Sequence, residues 1–572
     1  MMALLINQEL GAPDTVLTDS IKRYEIPQII EFGGFITRGL NQTFRDINPN
    51  DYPFRLIDAF YRLPFMFYDY GTGQTNLISS QGLDPRYTAF FLNGHRLINP
   101  LSGYVNLTKL PIQFFERIVM GENFGGFGLG SVNLISKVNH YDLPYSYVRY
   151  GFGSYGIELY DIDFTRPITN EFGFYLSGRH FDYAGYQSHS SSQINSIYAN
   201  LYYDHFMRFD AIYFSNEYEI PGFMLDANYG QATHEFYDLS LTAGLRNHKI
   251  SIYFNSDNEA YTYSSSTTSV IRNFGLQTES YNYIQGFDLS YGLFGQQGKV
   301  TDDLYGTHSP NSIAGWAQCE KHLKDFIFSI SGLAELVNAE DFFCSPEISF
   351  GIELLDSTYI MAGLDRGYRM PTIQENWQHD SAQELLPEYY WHQEISLQSR
   401  NFLINLYKLD FADPIFAFAD SLGYEFHENR TSRQTIGITG YFEIPFYFGK
   451  SAIPKSINKI SLGYTGNYLL KNDSVAFIPK GISSFFVSLD HTTERFGAKL
   501  ALEQRYVSTR HDLLGQDLAE FRVFSLAGMI RVVTLSGTVR VDNIFDEDYN
   551  YLPNSPMPPR SFSAAIKWEF WN

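Results

Sequence analysis

Cysteine is nearly missing from this chain: Cys319 and Cys344 are the only two in 572 residues. Two thiols make neither a disulfide framework nor a cysteine metal site. The strand register read below puts them on non-adjacent strands, so no disulfide is expected. Charge is also sparse, at 18% of residues, and 41 basic residues face 63 acidic ones for a net charge of −22. Nucleic-acid affinity rests on Lys and Arg neutralising phosphates, so this balance argues against a nucleic-acid partner. No stretch approaches the ~18–20 apolar residues of a membrane helix, and mean hydropathy is −0.22. Familiar catalytic signatures are missing too. There is no G-x-S-x-G elbow, no H-E-x-x-H and no P-loop, since Gly298-Lys299 and Gly449-Lys450 lack the upstream glycine. Histidines such as His205 and His322 stand alone and read as strand-end residues. Asp546, Glu547 and Asp548 do not have the spacing of a calcium loop. The reading is therefore a non-enzyme with no resident cofactor and no assigned metal ligand. The opening MMALLINQEL has neither the charged head, the apolar length nor the small-residue site of a secretory leader, and a truncated or miscalled start is expected.

Aromatic residues are abundant: 43 Tyr and 49 Phe bring aromatics to 17%. Tyr and Phe favour pleated, half-buried surfaces. After about Tyr145 the sequence reads only as strands. In the last segment Phe562, Ala564, Ile566, Trp568 and Phe570 alternate with Ser561, Ser563, Ala565, Lys567 and Glu569, giving one apolar and one polar face. Ile348, Phe350, Ile352 and Leu354 alternate likewise with Glu347, Ser349, Gly351 and Glu353. Tight links at Lys324-Asp325 and Arg400-Asn401 alternate with long ones over 367–390, 412–433 and 545–559. Short turns at one end and long loops at the other distinguish a transmembrane barrel from a soluble sandwich. A chain that spans lipid without apolar helices must close its sheet, because lipid offers no partner for a bare backbone amide. Twenty-one strands are clear. A closed antiparallel barrel requires an even number, and the missing strand is placed in 267–280, where the pattern is weakest. The fold class is an all-β transmembrane barrel of about 22 antiparallel strands with a small α/β plug domain in its lumen. The divisions are a tail at 1–53, the plug at 54–140 and the barrel at 141–572.

The plug reading comes from a change of pattern at Arg55. A short helix is expected from Arg55 to Tyr61, a strand from Thr88 to Leu92, and a hairpin turn at Asn93-Gly94. A second short helix opens at Pro111 and ends near Phe115. Further strands follow at Arg117–Met120 and Val132–Ser136.

These residues resemble the plug of TonB-dependent outer-membrane receptors. Leu56-Ile57-Asp58-Ala59-Phe60 with Leu63-Pro64 is similar to the family's lead-in "L-P-G-V". Leu92-Asn93-Gly94 matches "L-D-G", Phe115-Glu116-Arg117-Ile118 matches "I-E-R-I", and Val132-Asn133-Leu134-Ile135 falls in the glycine-rich close that ends at Lys137. In the barrel, Arg366-Gly367-Tyr368-Arg369-Met370-Pro371-Thr372 with Glu375 is similar to "G-F-R-A-P-T-x-x-E". Val541-Asp542-Asn543-Ile544-Phe545-Asp546-Glu547-Asp548-Tyr549, then Pro559-Arg560, is similar to "N-L-F-D-K-x-Y … P-G-R".

The resemblance implies an outer-membrane location, monomeric state and active uptake of a scarce small-molecule nutrient such as a metal chelate, cobalamin or a siderophore. It also implies a TonB-like energy-transducing partner acting on the tail. Asp14-Thr15-Val16-Leu17-Thr18 resembles the energy-coupling box, which would add a strand to a partner's sheet edge. The plug loops Asp69–Asn76 and Asn99–Val105 look most like those of cobalamin-type receptors, and they place Tyr70, Gln74, Asn76, Ser102 and Tyr104 as substrate-binding candidates. One departure stands out. Two family arginines that pair with barrel glutamates are Gln81 and Met120 here. The expectation is that those glutamates are gone as well and that hydrogen bonds and packing hold the plug. The alternative reading is a passive or structural plugged barrel, a channel, adhesin or assembly anchor, that has lost energy coupling.

Overall fold

The computed structural model describes residues 54–571, except 61–64, 70–74, 81–83, 122–129, 139–142, 221–229, 263–265, 356–357, 378–384, 420–424, 447–456, 472–477, 553–554 and positions 170, 205, 400, 431 and 494. Twenty-two antiparallel strands close into a barrel, and the last of them, Ser561–Trp571, pairs with the first, Tyr145–Gly153. A three-residue strand, Gly306–His308, adds to the rim. The segment at 267–280 lies within one long strand, Ser266–Ile284, as the even count requires. Cys319 and Cys344 lie on Asn311–Leu323 and Asp341–Leu355, which are separated by the strand Phe326–Val337, and both are free thiols.

The barrel is apolar outside and polar inside. On the first strand Val148, Tyr150 and Phe152 are exposed, whereas Tyr147 and Arg149 are buried. On the last strand Phe562, Ile566 and Trp568 face out, and Ser563, Ala565 and Lys567 face in. A soluble protein would put the second set outside. Here lipid is the solvent of the outer face, and the lumen must satisfy its own polar groups. Asp161, for example, accepts from Arg149 at 3.1 Å and from Arg179 at 2.7 and 3.0 Å.

The plug fills the lumen. Helix α1 (Leu56–Ala59) opens it and is shorter than its sequence pattern suggests. A hairpin follows, β1 (Phe65–Asp69) with β2 (Asn76–Ser80). A four-stranded mixed sheet is built from β3 (Thr88–Leu92), β4 (His95–Leu97), β5 (Phe115–Gly121) and β6 (Gly130–Ser136), in the order β4-β3-β6-β5. The expected helix after Pro111 is a single 3-10 turn at Ile112–Phe114, because Phe115 already enters β5. Asn93 and Gly94 both take positive φ in the turn between β3 and β4, as the hairpin signal requires. Plug residues Phe90, Leu92, Ile112, Phe114 and Leu134 share one apolar cluster with barrel residues Tyr175, Tyr198, Phe214 and Phe236. The core of this molecule therefore lies between plug and wall.

Several lumen-facing rings lie over a glycine directly opposite on the neighbouring strand, including Tyr253 on Gly275 and Tyr390 on Gly367. Tyr253 in turn stacks on plug residue His95, with ring centroids 4.5 Å apart. A side chain at position 275 would drive that ring into the plug. Gly275→Val is expected to lower stability by about 1–3 kcal/mol through overpacking, read as an earlier thermal transition, while Gly537→Val, where no atom lies within 4 Å, should leave it nearly unchanged.

Candidate functional site

A cavity of about 460 Å³ lies between the plug and the long-loop end of the barrel. The plug contributes Arg86, Tyr87, Arg96 and Asn99 to its lining. The wall contributes Asn273, Gln296, His308, Glu335, Tyr368, Arg369 and Tyr390. These side chains converge because strand ends on one rim carry Arg369, Glu388 and Asn311, while the 3-10 turn Pro85–Tyr87 lifts Arg86 and Tyr87 toward them. Asp84 caps that turn, accepting from the Arg86 amide at 2.9 Å and from its Nε at 3.1 Å.

Beneath the rim runs a buried chain of charge. Glu375 sits on α2 (Ile373–Trp377), where Thr372 and Glu375 form a reciprocal capping pair: the Thr372 amide donates to Oε2 at 2.8 Å and the Glu375 amide to Thr372 Oγ1 at 3.1 Å. Glu375 then takes Arg86 from the plug and Arg369 from the wall, the latter at 2.8 and 3.0 Å. Arg369 also reaches Glu388. Glu388 accepts the Tyr87 hydroxyl at 2.9 Å on both oxygens and the Ile415 amide of the next long loop. One connected group thus joins plug, wall and two loops. Burial alone would push the Glu375 carboxyl up, but Arg369 and then Arg86 outweigh it and hold the group well below the usual carboxylate range.

This corrects the expectation that packing and neutral hydrogen bonds hold the plug. The buried glutamates are present, and the plug arginine that meets Glu375 is Arg86, five residues beyond Gln81. Gln81 lies outside the described residues, as does the Met120 side chain. More charge joins plug to wall elsewhere: Lys137 with Asp163 at 2.9 Å, Lys109 with Asp257, His95 with Asp238 at 2.9 Å, and Arg96 with Glu335 at 3.7 Å. Charge at this depth must be paired, which explains why Arg86, Lys109 and Lys137 each meet a barrel acid.

The substrate-binding candidates divide. Tyr70 and Gln74 lie outside the described residues, as do Asp14, Thr15, Val16, Leu17 and Thr18. Asn76 is buried; its backbone amide donates to Asn106 Oδ1 at 3.0 Å and its side-chain amide donates to Thr108 Oγ1 at 3.0 Å, so its side chain serves the plug interior. The loop bearing Ser102 and Tyr104 lies under α2: the Ile373 and Gln374 amides donate to the Pro100 and Leu101 carbonyls, each at 3.1 Å. Gly103, at φ +82°, permits this approach, since a Cβ there would meet Thr372 Cγ2 at 2.6 Å. Burial pushes the Tyr104 phenol up to about 12, with Arg86 opposing and Glu259 adding to the rise. Sequence reasoning missed Arg86, Arg96 and Glu388 as members of the rim. The Thr372-x-x-Glu375 spacing was the visible signal for α2, but the partner of Glu375 depends on a contact 289 residues away.

No family model matches this sequence, and no curated protein does either. Solved structures do. The siderophore receptor PirA from Acinetobacter baumannii superposes with a TM-score of 0.70 at 13% identity, covering 92% of this chain and 98% of that one. The fold is that of a TonB-dependent receptor. The copper transporter OprC matches with a TM-score of 0.73 at 14% identity over 91% and 98% of the two chains. The FrpB iron transporter from Neisseria meningitidis gives 0.71 at 11% identity over 92% and 99%. The fold therefore carries over across about nine-tenths of this chain with little sequence in common.

Replacing Glu375 by Ala would leave Arg86 and Arg369 sharing fewer carboxylates in a buried setting, and a loss of about 3–5 kcal/mol is expected from thermal unfolding. The pH dependence has a definite sign. Because the folded Glu375 carboxyl is held below its ordinary value of 4.5, its stabilisation is fully present above that pH and is lost as pH falls through the folded value. Protection of plug amides, after correction for the slower intrinsic exchange in acid, should fall on acidification from pH 5 to about 3 in the wild type, and Glu375→Gln should remove that part of the dependence.

Proposed function

We propose that this protein is a TonB-dependent outer-membrane receptor that imports a scarce, anionic metal chelate, with a siderophore favoured over cobalamin. The observation that carries this reading is the rim cavity. Three arginines, Arg86, Arg96 and Arg369, line it; Glu375 and Glu388 fix the first and last from beneath, and Glu335 faces Arg96 across the cavity. Fixed guanidinium forks beside tyrosine faces suit planar, oxygen-rich anionic ligands. A largely neutral corrinoid would gain less from such a lining. On this reading residues 54–140 form the plug, residues 141–572 the barrel, and the tail at 1–53 offers Asp14–Thr18 to an energy-transducing partner. The likeness to named siderophore and iron transporters supports uptake as the activity. The non-enzymatic reading follows the same neighbours. The passive alternative drew its weight from the missing arginines at Gln81 and Met120 and from the weakly patterned N-terminus; the Arg86–Glu375 pair weakens the first of these grounds.

Binding and energised uptake separate experimentally. A panel of ferric chelates added to the purified protein should raise its thermal transition for the true ligand by the amount that RT ln(1 + [L]/Kd) dictates. In cells, deleting residues 1–20 or dissipating the proton gradient should abolish uptake of that chelate and leave surface binding intact. Uptake that survives both treatments would establish the passive barrel instead.

A further inference from the structure

We propose that His234, Asp257 and Glu259 form a binding site for a divalent transition-metal ion, and that this ion competes with the plug's Lys109 ammonium for Asp257. The site lies on two neighbouring barrel strands, Gly230–Leu245 and His248–Thr262. His234 stands directly opposite Glu259, and Phe236 opposite Asp257. Positions two apart on a strand share a face, so the two carboxylates and the imidazole project together. Their donor atoms all lie within 4.8 Å of one another. His234 Nε2 is 2.5 Å from Asp257 Oδ1 and 3.6 Å from Glu259 Oε1. His234 and Asp257 are buried, and Glu259 is 28% exposed, which leaves an approach from one side.

The surroundings are those of a site. Tyr261 donates to Glu259 Oε2 at 2.8 Å, leaving Oε1 turned to His234. An outer partner of this kind orients a ligating carboxylate. The remaining Asp257 oxygen holds Lys109 Nζ, which also sits 4.7 Å from the centre of the Phe236 ring. The position therefore already takes a cation, tethered to the plug by one side chain. Imidazole with two carboxylates suits Zn²⁺, Fe²⁺ or Mn²⁺. Ca²⁺ asks for six to eight oxygens and has no such set here. Filling the site breaks one of the ion pairs between plug and wall, so loading by metal would loosen the plug at Leu107–Lys109. That role in transport rests on the uptake reading above; the site itself does not.

The test uses the full-length protein in detergent and Zn²⁺ alone, competed against a chromophoric chelator. Saturable, stoichiometric binding is expected, and His234→Ala or Glu259→Gln should weaken it by about 10-fold or more. Lys109→Met removes the competing cation and should tighten it by about 10-fold. An equal concentration of Ca²⁺ should not displace Zn²⁺. Hydrogen exchange at residues 107–110 should quicken when Zn²⁺ is added to the wild type. Because Glu259 lies at the edge of the cluster, Glu259→Gln carries the test if His234→Ala does not fold. Zn²⁺ binding that is unchanged in Glu259→Gln and in Lys109→Met would overturn the site. Intact Zn²⁺ binding in a protein that imports nothing would count against the transport reading alone.

Discussion

Buried charge between the plug and the inner wall is the constraint on which the rest of this molecule depends. The barrel turns its polar face inward because its outer face is apolar, and a lumen lined with Asp, Glu, Arg and Tyr cannot stay unsatisfied. The plug answers with Arg86, Lys109 and Lys137, each placed against an acid of the wall. Such pairs add less net stability than the same volume of apolar packing, but breaking one strands a charge. They therefore specify where the plug sits more than how tightly the molecule folds. The apolar cluster shared by Phe90, Phe114, Tyr198 and Phe236 supplies the cohesion.

The same arrangement links the two ends of the lumen. At the loop end, Glu388 binds a plug hydroxyl, a wall guanidinium and a loop amide at once. Toward the close of the plug sheet, the Tyr198 hydroxyl donates to the Lys137 carbonyl at 2.7 Å, while Arg208 donates to the Ser136 carbonyl at 3.0 Å. Arg179 holds the Phe54 carbonyl at 2.8 Å. The plug is thus fastened at its beginning, its end and its apex, and any movement that opens a path must exchange these bonds for others.

Much of the fold was legible in the sequence, because alternation along a strand is a local property. Ser561 to Glu569 states its two faces without reference to any other residue, and the even strand count placed a strand in 267–280, where the pattern was faint and where the strand Ser266–Ile284 lies. Thr88–Leu92 and Asn93-Gly94 were equally local. The site was less legible. Its charges pair across separations such as Lys109 with Asp257 and Tyr87 with Glu388, which no spacing rule can anticipate. Reasoning from the loss of arginine at Gln81 and Met120 led to an uncharged plug interface, whereas Arg86 supplies the charge from a different register. The His234–Glu259 juxtaposition likewise exists only once two strands are paired.

A double-mutant cycle between Arg86 and Glu375 tests the central claim most directly. If paired buried charge positions the plug, Arg86→Ala and Glu375→Ala together should cost less than the sum of the single changes, with a coupling of about 1–3 kcal/mol. Strictly additive losses would contradict the account, because they would mean that the two groups do not act on one another across the boundary between plug and barrel.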